Sequence, residues 1–92
     1  MPFEFDLTPR LRKLLEKLQK RNPTRADIIH KKITEIINSD ESAIERYKHL
    51  RHGLKERQRV HIDKHFVLTF RHDKPAKFIL FMDFDHHDHA YE

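Results

Sequence analysis

RQRVHIDKHFVLTF, residues 57–70, is the stretch that decides the fold. Val60 and Ile62 alternate with Arg59, His61 and Asp63, and Phe66, Leu68 and Phe70 alternate with Val67 and Thr69. Period-two patterning of this kind marks strands with one buried face. The connection then fixes their register. A two-residue turn at Asp63-Lys64 would set Ile62 opposite His65 and mix the faces. A three-residue connection, Asp63-Lys64-His65, sets Ile62 opposite Phe66 and Val60 opposite Leu68, so only the odd length keeps one face apolar. Arg59 and His61 then share the other face with Val67 and Thr69, and His65 sits at the rim beside His61.

Downstream, Arg71-His72-Asp73-Lys74-Pro75 reads as a turn. A third run, Ala76 to Asp85, is expected to place Phe78, Leu80, Met82 and Phe84 on one face and Ile79, Phe81, Asp83 and Asp85 on the other. Paired alongside, it brings Asp83 and Asp85 to the face of Arg59 and His61, and His87 follows if the strand continues. Upstream, residues 2–7 (PFEFDL) form a short first strand. Thr8 before Pro9 reads as an N-cap, and Leu7, Leu11, Leu14, Leu15 and Leu18 make the apolar stripe of a helix of about three to four turns. A second helix is capped by Asn22 before Pro23, or by Thr24 with Asp27. It carries Ile29, Ile33, Ile36 and Ile37 and stops at Asn38-Ser39-Asp40. Residues 41–48 add a further helical turn. The order β-α-α-β-β-β predicts one α+β domain over residues 1–92: a short first strand, an αα-hairpin and a three-stranded antiparallel meander. The helical stripes belong to its core, since a sheet is available to cover them.

Composition narrows the function. Nineteen Lys+Arg against 15 Asp+Glu give a formal charge of +4 and a pI near 9.5. Such a surplus attracts phosphate backbones, acidic proteins and anionic lipid. The chain has no cysteine, hence no disulfide and no thiolate metal site. Met1 to Asp6 reads as neither signal nor transit peptide, and no apolar run approaches the ~18–20 residues that cross a bilayer. A soluble cytoplasmic protein is expected, with no membrane contact. Nine histidines are present, and only His30 lies in the first half. The others, His49, His52, His61, His65, His72, His86, His87 and His89, crowd the second, where imidazoles suit proton transfer or metal binding near neutrality.

The element order, the segment Arg59 to Phe70, the approach Leu50-Arg51-His52-Gly53-Leu54 and the ending Asp85-His86-His87-Asp88-His89-Ala90-Tyr91 together resemble the RelE/ParE toxin superfamily, in particular its histidine-rich YafQ-like branch. The resemblance implies a toxin of a type II toxin–antitoxin system. Its activity is that of an mRNA interferase, cutting messages on the ribosome and silenced by an acidic antitoxin from the same operon. It also implies that His61 and His87 carry proton transfer, with His65 at the neighbouring rim position. RelE itself relies more on Arg and Lys, so this sequence departs toward histidine, which leaves open which imidazole is acid and which base.

The chemistry suits those residue types. When the 2′-hydroxyl of RNA attacks the adjacent phosphate, the reaction needs a base for the hydroxyl, an acid for the leaving 5′-oxygen and cations for the phosphorane oxygens. Arg59 is the candidate for phosphate stabilisation, because a planar guanidinium matches phosphate oxygens. Asp85 or Asp88 would hold a histidine in its useful tautomer, and Phe66 or Tyr91 would stack on a base. The catalytic set is therefore His61, His65, His87, Arg59 and Asp88. Lys64, Arg57, Arg51, His86 and Tyr91 are the further RNA contacts, with His49 and His52 near enough to approach from the side. Asp83 to His89 has three Asp and three His in seven residues, a metal-like composition. Consecutive His86 and His87 cannot point the same way on a strand, and there is no second cluster with defined spacing. No metal and no cofactor are expected. The competing readings are a ParE-like gyrase inhibitor, which has no evident use for clustered histidines, and a non-catalytic RNA-binding module.

Overall fold

The structure, a computed structural model, describes residues 2–50 and 57–86. Its elements are β1 (Glu4–Leu7), α1 (Pro9–Arg21), α2 (Pro23–Ile37), α3 (Glu41–Glu45), β2 (Arg57–Ile62), β3 (Phe66–Asp73) and β4 (Phe78–His86). Thr8 and Asn22 cap the two long helices, accepting from the amides of Leu11 and Arg25, with proline at the first helical position of each. Where the sequence left two caps for α2, Asn22 is the one used.

The strands form one sheet in the order β1-β4-β3-β2. β2, β3 and β4 are an antiparallel meander, and β1 lies parallel to β4 at the sheet's edge, Leu7 beside Phe81. That edge is blunted locally: the Arg12 side chain donates from Nε to the Leu7 carbonyl (3.3 Å) and binds the Asp6 carboxylate. The Leu7 amide bonds to the same carboxylate, and the two contacts hold the Asp6 pKa below its ordinary value. Such protection discourages a stray strand from joining.

The β2–β3 register is the one the odd-length connection predicts, with Ile62 opposite Phe66 and Val60 opposite Leu68. Asp63, at φ 61°, takes the left-handed turn position that Asp tolerates, its carboxylate accepting from the Lys64 amide. Two expectations need correction. Residues 71–73 are strand, not turn: Arg71, His72 and Asp73 pair with Leu80, Ile79 and Phe78. The reversal is the tighter Lys74-Pro75-Ala76-Lys77, with proline at its second position and Lys77 at φ 51°. The two faces of β4 are also not as the alternation suggests. A register shift at Thr69/Phe70 sets Phe70 opposite Phe81 but Thr69 opposite Asp83, leaving Met82 as an extra residue. This bulge moves Ile79 and Phe81 into the core on the same side as Phe84, while Asp83 and Asp85 stay on the far side.

Leu11, Leu15, Ile29, Ile33 and Ile36 of the helices pack on Val60, Ile62, Leu68, Phe70, Ile79 and Phe81 of the sheet. A polar side chain of β2 also enters this interior. Gln58, 3% exposed, donates from Nε2 to the carbonyls of Ile44 (2.7 Å) and Tyr47 (3.1 Å), tying β2 to the end of α3. Gln58→Leu leaves both carbonyls without that donor, at a cost of about 2 kcal/mol, and thermal unfolding is expected to fall by roughly 10 °C. An unchanged melting temperature would show that the tie contributes nothing.

Candidate functional site

Two neighbouring surfaces carry the predicted residues. The first is the sheet face turned away from the helices. Alternation along β2 puts Arg57, Arg59 and His61 on it, between the buried Gln58, Val60 and Ile62. Across the ladder stand Arg71, Thr69 and Val67 of β3, and beyond these Asp83 and Asp85 of β4. With strands about 4.8 Å apart, roughly 10 Å separates the backbone of β2 from that of β4. His61 thus faces Asp85 over Val67, and Arg59 faces Asp83 over Thr69. His61 is exposed and Arg59 half-buried. Three guanidiniums and an imidazole on β2 and β3, with two carboxylates on β4, make this face a polarised trough, in which Val67 and Thr69 are themselves covered. Arg10 of α1 closes its far side, donating from Nε to Asp83 (3.1 Å). That bond raises the Arg10 pKa above its ordinary value.

The second surface is the rim at the β2–β3 turn, on the helix side of the sheet. His65 lies parallel to His86, with ring centroids 6.1 Å apart. His86 is edge-on to Phe66 (5.5 Å), and Phe66 stacks on Phe84 (5.1 Å). Arg25 of α2 covers Phe66 with its guanidinium 4.3 Å from the ring centre and reaches Asp63 (3.7 Å). Phe66, placed inward by the register, is therefore half-buried beneath a cation and not available as an open stacking platform. Pairing with Phe66 sets His86 on the side opposite His61.

The fold thus brings Arg57, Arg59 and His61 together and gathers His65 and His86 at the adjoining rim. Lys64 is exposed in the turn between the two. His49 bridges to Gln58 on the outer side of β2, next to Arg57 and Arg59, whose backbone bonds to Lys48 and Leu50 extend the sheet by one short segment. Arg51, His52, His87, Asp88, His89 and Tyr91 lie outside the described residues. Among the described residues no group of three His, Asp or Glu is placed to hold a metal ion, and no described helix is long and apolar enough to cross a membrane. Two side chains of the trough escaped the sequence reading. Arg71 was hidden in the supposed turn, although extending the alternation one residue past Phe70 exposes it. Arg10 gives no sequence signal, because its contact with Asp83 spans 73 positions.

No protein-family model matches the chain. The chain is 44% identical over 90 residues to "Putative toxin RelE4" of Methanocaldococcus jannaschii, covering 98% of this chain and 92% of that protein. In three dimensions it resembles YafQ of Escherichia coli BL21(DE3), with a TM-score of 0.75 at 15% identity over 98% of this chain and 99% of that one. The RelBE2 toxin–antitoxin complex of Mycobacterium tuberculosis contains a chain with a TM-score of 0.62 at 22% identity, over 94% of this chain and 99% of that one. A strand, an αα-hairpin and a meander with a cationic outer face define a small toxin of the RelE fold. By its likeness to the archaeal relative, the chain belongs to the RelE toxin family.

Proposed function

We propose that the chain is an mRNA interferase, an endoribonuclease that cuts messages on the ribosome by histidine acid–base catalysis without a metal. The observation that supports this most is the β2 register, which sets Arg59 and His61 two residues apart on one sheet face. In this reading a phosphodiester lies against the exposed His61 and the half-buried Arg59. Arg59, flanked by Arg57 and Arg71, binds the non-bridging oxygens and stabilises the charge that grows on the phosphorane. His61 and His87 exchange the protons: one removes the 2′-hydroxyl proton, and the other protonates the leaving 5′-oxygen. Asp85, facing His61, or Asp88 holds an imidazole in the tautomer it needs. His65, at the rim beside His86, is the further proton-transfer group, and His86 and Lys64 hold the adjacent nucleotides. Arg51 and Tyr91 complete the RNA contacts.

The expected partner is an acidic antitoxin from the same operon, to which a surface of net charge +4 is complementary. One of the fold neighbours is itself part of a toxin–antitoxin complex. The test is primer extension on a message translated in vitro, with and without the purified protein. New 5′ ends within the coding region are expected on addition. An intact message, together with slowed DNA supercoiling by gyrase, would replace the nuclease by an inhibitor; an intact message that is merely bound would replace it by an RNA-binding module.

A further inference from the structure

Helix α1 carries a second cationic surface that shares only Arg10 with the trough. Arg10, Lys13, Lys17 and Arg21 are spaced three and four residues apart, so they line one side of the helix over about 16 Å. Leu11 and Leu15 are buried on another side. Lys13, Lys17 and Arg21 are exposed, and Pro9, Arg10, Lys13, Leu14 and Lys17 outline a shallow depression along the stripe. No carboxylate among the described residues pairs with Lys13, Lys17 or Arg21.

This arrangement works against the helix that bears it. Like charges three and four apart repel one another. The first turn holds Arg10 and no acidic residue, so its charge also opposes the positive end of the helix dipole. Lys20 and Arg21, in the last turn, suit the dipole and call for no other explanation. Arg10 is met by Asp83, so the unfavourable part is Lys13 and Lys17, and an external polyanion would relieve it. The stripe has one half-buried leucine, and among the described residues the exposed large hydrophobic side chains, Phe5 and Ile28, lie elsewhere. A protein partner would want a desolvated apolar centre, whereas a phosphate backbone needs only a line of cations. The stripe also begins at the trough. Arg10 is bonded to Asp83, which faces Arg59 across Thr69.

We infer that Arg10, Lys13, Lys17 and Arg21 form a backbone-binding track that holds the RNA strand as it leaves the sheet face, so that grip depends on RNA length beyond the cut. This rests on the nuclease reading for its direction, but its test does not require cleavage. Binding of fully 2′-O-methylated, uncleavable single-stranded RNA is measured by fluorescence anisotropy against salt, with one oligonucleotide of a few nucleotides and one several times longer. The protein is expected to prefer the longer RNA. Lys13→Ala/Lys17→Ala is expected to bind it on the order of tenfold more weakly, with a salt slope shallower by about 1.4 from two lost contacts at ~0.7 each. The short oligonucleotide should be much less affected, and Lys13→Arg/Lys17→Arg should keep the preference for length. An unchanged affinity and salt slope in the alanine variant, with its melting temperature preserved, would overturn the track. Equal losses on short and long RNA would do the same, since the lysines would then be acting at the trough. Cleavage by the parent in the message assay stands or falls separately.

Discussion

His61→Ala is expected to slow RNA cleavage by about 10²–10⁴-fold, the range for loss of one positioned proton-transfer group. His61 is exposed on β2 between the buried Val60 and Ile62, so its removal leaves no cavity and the melting temperature should hardly move. Primer extension on a translated message and circular dichroism of the same sample separate chemistry from folding. His87→Ala is expected to fall in the same range. A His61→Ala protein that cuts at the parental rate would remove this imidazole from the mechanism, and with it the role given to the face it stands on.

The largest effect on stability is expected at Phe70, for the opposite reason. Its side chain is wholly buried, edge-on to Tyr47 (5.7 Å) and tilted against Phe81 (6.0 Å), and it pairs with Phe81 beside the bulge. Phe70→Ala removes this centre and leaves a cavity, at a cost of about 3–5 kcal/mol. A domain of this size has roughly 5–14 kcal/mol in all. The urea midpoint should fall by roughly 2 M, if the protein stays folded at all. A loss under about 1 kcal/mol would mean that the sheet closes over the gap, contrary to the close packing of Phe70 between Tyr47 and Phe81.

The contrast between these residues shows what was legible in the sequence. The β2–β3 hairpin was readable because its apolar residues permit one register only, and the neighbourhood of Arg59, His61, Asp83 and Asp85 follows from it. The bulge at Met82 was not, because Phe78 to Phe84 is apolar at nearly every position and satisfies either face. Arg71 was lost to a turn signal: Asp73, Lys74 and Pro75 suggest an early reversal, yet β4 is long enough to pair as far as Asp73. The inward role of Gln58 carries no signal in the alternation, because it depends on a helix end, α3, whose carbonyls lie on the inner side of β2. Arg10 and Asp83 meet only because β1 ends beside the bulge, where Thr8 bonds to the Phe81 and Met82 carbonyls and turns the chain into α1. Contacts set by chain reversals of that length leave no local pattern.

The claim at the centre is that the residues of this sheet face move protons to and from RNA's own 2′-hydroxyl. It is tested most directly with an end-labelled message bearing a single 2′-deoxynucleotide at the cleavage position, translated in vitro in the presence of the protein. Cleavage of the all-ribose RNA to a 2′,3′-cyclic phosphate and a 5′-hydroxyl, with none at the deoxy position, is the predicted result. Cutting at the deoxy position, or products carrying a 5′-phosphate, would show that water attacks instead and would contradict the account.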